Sequence, residues 1–287
     1  MNETIFGRDH NIRRENHIEK EPKIEKIVLL VRHPSVEWLN VILDKAEEEG
    51  KDIETYTPVD KKGLKMTRFL SRYLQTEYLQ NYLTEAIGKK NIDKDYTIWS
   101  SPIKRALSEA KIISKNIKLA HIENPNIPIP KNNQPIIDEH FEEVPWIINK
   151  QEALSLIQEA KQKGIHPVKL WFEKYPDEII DKLNKKLTDI KEGLNILENS
   201  ETPIDIVFTH RLTGALMLWL IEQKGKKYED LTITKEDLPR IMELCGRVAY
   251  TSISEIRKIK DQQGEYWKVQ SVGETPHLDD DLKQGTF

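Results

Sequence analysis

The sequence predicts an α/β fold, a three-layer α/β/α domain on a mostly parallel central sheet with an inserted helical lid. Two observations predict it. Short apolar runs rich in β-branched residues alternate with longer segments whose apolar residues recur at helical spacing, a pattern that lays parallel strands between helices. Three of the runs also stop abruptly in polar residues, at what would be the ligand-binding edge of an open α/β sheet.

The first run, Lys26–Arg32, is continuously apolar between its ends and reads as a strand buried on both faces. Pro34 ends it, because a proline cannot donate to a central ladder. Thr57 and Pro58 lead to a helix starting near Asp60, with an apolar face of Leu64, Phe69, Leu70, Tyr73 and Leu74, running to about Leu83. Tyr96–Ser100 is the second strand. A helix follows from about Pro102 to Ile117, with Ser101 as N-cap and Pro102 at the first helical position. Asn124–Gln134, rich in Pro and Asn, is a loop.

A helical insert spans about Lys150 to Glu198, broken near Gly164–Pro167 and at Pro176. Its residues Ile179, Ile180, Leu183, Leu187, Ile190, Leu194 and Leu197 recur at helical spacing and should pack on the body. Ile204–Thr209 is the third strand, followed at once by His210 and Arg211 and then by a helix from about Thr213 to Glu222. Val248–Ile256 and Glu265–Ser271 read as antiparallel strands across a turn at Asp261–Gly264.

Composition narrows the function classes. The single cysteine, Cys245, excludes an internal disulfide and a cysteine zinc cluster. A formal net charge of -4 gives no global basic field for nucleic acid. No apolar run is long enough to cross a bilayer, and residues 1–23 form a polar tail without an apolar signal core. The expectation is a cytoplasmic protein with no nucleic-acid or membrane partner, in which residues 24–287 form one domain and residues 121–200, approximately, form the lid. Oligomeric state is not legible.

The three polar strand ends carry the chemistry. They are Arg32-His33, Ser100-Ser101 with Arg105 a turn later, and His210-Arg211. Parallel strands would deliver these residues to one sheet edge. Clustered cations repel, and an anionic ligand offsets that cost; arginine forks suit phosphate oxygens. The sequence has no Walker loop, dinucleotide fingerprint or Gly-x-Ser-x-Gly elbow. His10, His17, His121, His140 and His166 lack metal-ligand spacing and read as surface residues. His277–Asp281 reads as a solvated tail, and the lysines of Lys182–Lys191 as an exposed helix face.

Taken in order, these segments resemble the histidine phosphatase superfamily, which includes the phosphoglycerate mutases, over roughly residues 24 to 278. The strand with Arg-His-Gly is matched by Val28–Pro34, with Trp38 in the place of a recurring tryptophan. The Leu-Thr-x-x-Gly segment is similar to Tyr56–Gly63, and Ser-Ser-Pro-x-x-Arg-Ala is intact as Ser100–Ala106. The late Ser-His-Gly resembles Thr209-His210-Arg211, and the closing His-Leu is His277-Leu278.

The resemblance implies a phosphoglycerate mutase-like fold and a small phosphorylated substrate, with no metal and no cofactor. It implies His33 as nucleophile, and Arg32, Arg105 and His210 around the phosphoryl oxygens. It also implies a carboxylic acid in a Leu-x-Glu segment. Phe141-Glu142-Glu143 fits, with Glu143 favoured over Glu142 and Glu139. Ser101 and Arg211 are further candidates for phosphate contact. Pro34 and Arg211 replace the motif glycines, and Val144-Pro145-Trp146 stands where Gly-x-x-Glu-Gly is usual. The expected activity is metal-independent phosphomonoester hydrolysis through phosphohistidine. The alternatives are a mutase-like phosphotransferase and a non-catalytic phosphate-binding module.

Overall fold

Strand β1 (Lys23–Arg32) shows how the chain divides its apolar side chains. Val28 and Leu30 enter one core cluster, while Ile27, Leu29 and Val31 enter another on the opposite face. This is the pleat of a strand covered on both sides. The structure is a computed structural model, and it describes residues 22–35, 59–82, 86, 88, 96–144, 150–223, 227–262 and 264–283. Residues 1–21 of the expected tail, with His10 and His17, lie outside the described residues, as do Trp38, Tyr56–Pro58 and Pro145-Trp146.

The other strands are β2 (Tyr96–Ser100), β3 (Ile136–Ile137), β4 (Ile204–Thr209), β5 (Ile253–Asp261) and β6 (Gly264–Glu274). They form one six-stranded sheet in the order β3-β2-β4-β1-β5-β6. The first four strands in that order are parallel, and β5 and β6 add an antiparallel hairpin at the edge. The expected mostly parallel sheet is therefore present, as is the expected turn between β5 and β6.

Helix α1 (Lys61–Tyr73) continues in π geometry over Leu74–Tyr82, and α2 is Lys104–Glu123. Leu70, Leu74, Ile113 and Ile117 from these two elements cover the face of the sheet presented by Ile27, Leu29 and Val31. The insert forms α3 (Lys150–Lys163), α4 (Pro167–Lys174) and α5 (Pro176–Glu198), with breaks where Gly164, Pro167 and Pro176 place them. Residues from α5, α6 (Arg211–Glu222) and α7 (Leu238–Arg247) build the core on the other face. That gives three layers. Each Leu or Ile buried there contributes roughly 1.5–3 kcal/mol of transfer free energy. Helix α6 is buried from Arg211 to Ile221 because neighbours enclose it on all sides. A short α8 (Asp280–Lys283) lies near the C-terminus.

Several boundaries differ from the sequence reading. Ser101 is not the N-cap of α2. That position is Ile103, and the Ser101 hydroxyl instead accepts the Ile103 N–H at 3.2 Å, which delays the helix to Lys104. Helix α6 begins directly at Arg211. Strand β5 begins at Ile253 because residues 248–252 turn beneath β1. His277 is 8% exposed, so the segment read as a solvated tail begins in a buried residue.

Candidate active site

Register brings the three polar strand ends level. Arg32 lies opposite Thr209, and Ser100 lies opposite Phe208. The ladder then continues one step beyond the strands, with His33 N–H donating to the Thr209 carbonyl and Ser101 N–H to the Phe208 carbonyl, each at 3.0 Å. As a result the His33 and His210 rings stand 5.1 Å apart. Arg105, in the first turn of α2, reaches His33 past the end of β4, the strand between β2 and β1.

The hydrogen bonds of His33 fix its tautomer. Its Nδ1 lies 2.9 Å from the Pro34 carbonyl, which can only accept, so Nδ1 carries the hydrogen. Its Nε2 then keeps a lone pair and accepts from Arg105 Nε at 3.2 Å. Burial first, and then the charges of Arg105, His210 and Arg32, hold the imidazole well below its ordinary range. Pro34 in place of glycine removes an N–H but leaves the carbonyl that orients the ring.

His210 is fully buried, and its Nε2 is 2.9 Å from the Ser101 hydroxyl. Burial and the Arg105 and Arg32 charges also depress it. Its Nδ1 makes no hydrogen bond and faces Glu143 Oε2 at 3.9 Å.

Glu143 is carried to the site by a loop strapped to β4 and α6. Thr209 Oγ1 donates to the Phe141 carbonyl at 2.8 Å, and Thr213 Oγ1 donates to the Glu142 carbonyl at 2.5 Å. The Val144 N–H in turn donates to Glu143 Oε1 at 3.2 Å. A ring nitrogen of His33, one of His210 and a carboxylate oxygen of Glu143 all lie within 4.8 Å of one another. Of the three candidate acids, Glu143 is the one in this cluster. Burial raises its pKa against the pull of Arg105 and Arg32, so the group holds a proton more tightly than an ordinary carboxyl.

Arg32 is 4% exposed. Its Nη1 donates to the Val248 carbonyl at 2.8 Å, and its guanidinium lies 3.8 Å over the Tyr250 ring. Burial and the neighbouring Arg211 lower its pKa to about 9. Arg211 turns inward, with 8% of its surface exposed, and burial lowers it too. Cys245 lies in the same electrostatic neighbourhood, and burial pushes its thiol up to about 12, which leaves it protonated.

The structure thus brings together Arg32, His33, Ser101, Arg105, Glu143, His210 and Arg211. Sequence reasoning missed Tyr250, which sits in a turn with no pattern to mark it. It also took His166 for a surface residue. His166 is half-buried and caps α4, its Nδ1 accepting the Val168 N–H at 3.2 Å. Burial, then Arg211 and Arg32, lower it to about 3. The following Pro167 was the available signal for that cap.

Two histidines and a carboxylate within 4.8 Å could in principle hold a metal ion. The surroundings do not fit one. Arg105 Nε donates to the His33 nitrogen that would bind the metal, and the Arg32 and Arg211 charges add to a positive field. That field opposes a cation and favours an anion.

No family model matches the chain, and no curated protein does. Solved structures similar to it include phosphoglycerate mutase from Bacillus anthracis, at 14% identity and a TM-score of 0.49, covering 89% of this chain and 96% of that one. The putative alpha-ribazole-5'-P phosphatase from Escherichia coli is similar at 13% identity and a TM-score of 0.47, covering 86% and 97%. The ecdysone phosphate phosphatase of Bombix mori, solved with tungstate, is similar at 13% and 0.46, covering 88% and 95%. These structures are of histidine phosphatase superfamily members, the superfamily that the sequence motifs resemble.

Proposed function

We propose that this protein is a metal-independent phosphomonoester hydrolase that forms a phosphohistidine on His33. The observation that carries the reading is the state of His33. It is a buried, neutral imidazole whose Nδ1 hydrogen is committed to the Pro34 carbonyl, so Nε2 presents its lone pair among arginines and beside Glu143.

The phosphate of a small monoester takes the place of the Arg105–His33 contact. Arg32, Arg105 and His210 donate to its oxygens, with Ser101 and Arg211 as further contacts. His33 Nε2 attacks phosphorus, and the bond to the leaving oxygen breaks. Protonated Glu143 gives its proton to that oxygen. The resulting carboxylate takes a proton from water as the water attacks the phosphohistidine, which restores His33 and Glu143 and releases orthophosphate. Of the expected lid of about residues 121–200, β3 and α5 belong to the sheet and its core layer, and the part between them borders this site. It supplies Glu143 and brings His166 near Arg32 and Arg211.

The test is a panel of phosphomonoesters assayed with EDTA, comparing wild type with His33→Ala. Wild type should turn over, and denatured samples should carry an acid-labile, base-stable phosphoryl label. Loss of activity in EDTA would overturn the metal-free mechanism, and full turnover by His33→Ala would remove the nucleophile. Transfer of the label to a second substrate hydroxyl in place of water would make the protein a mutase.

A further inference from the structure

Arg32 is held from two directions by one short segment, residues 248–252. At the backbone, Arg32 N–H donates to the Ser252 carbonyl at 3.2 Å, and Thr251 N–H donates to the Arg32 carbonyl at 3.0 Å. At the side chain, the Val248 carbonyl takes Nη1 at 2.8 Å, and the Tyr250 ring lies 3.8 Å from the guanidinium carbon. The carbonyl fixes one nitrogen, and the ring fixes the plane. A π face attracts a guanidinium without occupying any of its in-plane N–H directions. The same ring lies 5.6 Å from that of His33, so it borders both the cation and the nucleophile.

The segment adopts a costly shape to do this. Thr251 has φ 55°, the only positive φ at a non-glycine residue among those described, and a β-branched residue rarely takes it. Thr251 is fully buried, and its Oγ1 is held 3.1 Å from His277 Nε2. The His277 ring in turn lies 5.8 Å from that of Tyr73 in α1. On the other side, Gly273 of β6 approaches so closely that a Cβ there would meet the Arg247 carbonyl oxygen at 1.9 Å. The left-handed step at Thr251 is therefore braced by β6 and by the C-terminal His277. It lets Tyr250 and Ser252, its two neighbours, both reach Arg32.

We infer that Tyr250 is a positioning residue that orients the Arg32 guanidinium toward the phosphate, and that the Thr251–His277 contact holds Tyr250 in place. The inference rests on the phosphate-binding role proposed for Arg32. Neighbouring Arg211 repels Arg32. Without the ring, Arg32 would keep its charge but lose its fixed plane.

The test is calorimetric titration with orthovanadate, a phosphate mimic, on the full chain. Tyr250→Phe keeps the aromatic face and should bind within about twofold of wild type; Tyr250→Leu should bind about tenfold more weakly, and its KM should rise more than its kcat falls. A Tyr250→Leu protein that binds vanadate like wild type, beside an Arg32→Ala protein that does not bind, overturns the inference and leaves the proposed function standing. If Arg32→Ala also binds normally, the function proposal fails with it. A measurement on wild type covers the case of a leucine variant that does not fold. Arg32 side-chain protons, identified by their loss in Arg32→Lys, should be shifted upfield by the ring current. Protons at ordinary arginine positions overturn the inference.

Discussion

At the N-terminal end of β4, Asp205 is fully buried and lies 3.2 Å from the Nζ of Lys26. It also accepts from Trp99 Nε1 at 2.8 Å, Ser200 Oγ at 2.6 Å and Thr202 Oγ1 at 3.2 Å. Lys26 gives its other hydrogens to Ser200, at 3.0 Å to the carbonyl and 2.5 Å to the hydroxyl. At the C-terminal end of the same strand, His210 and Arg211 stand with Arg32, Arg105 and His33, and the charges depress one another. The first cluster answers its own charge within the fold. The second is arranged so that its positive groups act together, which suits an anion that comes from outside. Buried polarity alone does not mark a site, then; what marks it is the sign and the satisfaction of the charges.

The contrast predicts opposite phenotypes at the two ends. His33→Ala should lower kcat by about 10⁴-fold or more with an unchanged melting temperature. A variant that melts early instead would make His33 a structural residue. Glu143→Gln should lower kcat by about 10²–10³-fold and reshape the pH profile. Burial raises the pKa of Glu143, so wild type keeps its acid to a higher pH than an ordinary carboxyl and loses activity as pH rises through that pKa. The depressed His33 stays neutral to a lower pH than an ordinary histidine, so activity persists on the acid side. In Glu143→Gln the alkaline limb should vanish, and a limb that survives assigns the acid elsewhere.

Asp205→Ala should do the reverse. Stranding Lys26 should cost about 3–5 kcal/mol of stability, read by denaturant titration, with kcat within about twofold of wild type at a temperature where the variant is folded. Replacing both partners, as Lys26→Met with Asp205→Leu, should recover most of that loss. The smallest effect is expected from Arg211→Gln. Vanadate binding should weaken about threefold to tenfold, and the melting temperature should move by about 2 °C or less. A large loss of stability would place Arg211 with Asp205 rather than with Arg32.

The residues that ended strands were legible because a buried apolar run makes its polar neighbours conspicuous. Arg32, His33, Ser101 and His210 were all found that way, and β2 and β4 have the ends expected of them. Glu143 was favoured within a trio but not separated from it, since its position beside the histidines depends on Thr209 and Thr213 gripping two carbonyls, contacts more than sixty residues apart in sequence. Tyr250 was invisible because its role arises from a left-handed turn at a threonine, where no sequence rule expects one. Helix α7 carried a readable signal in Leu238, Ile241, Leu244 and Cys245 with Pro239 in its first turn, but the reading assigned nothing there. Strand β3, two residues long, is too short for any period to appear.

Close to the nucleophile, Ser35 is tied to the N-cap of α1. The Ser35 hydroxyl donates to Asp60 Oδ2 at 2.9 Å, and Asp60 Oδ1 accepts the Gly63 N–H at 2.5 Å. A methyl group on Gly63 would meet the Ser35 carbonyl oxygen at 2.1 Å. Ser35, Asp60 and Gly63 thus form a clasp that ties the end of the nucleophile's strand to the start of α1. Any side chain larger than a hydrogen at position 63 would push the Ser35 carbonyl, and with it the backbone two residues beyond the nucleophile.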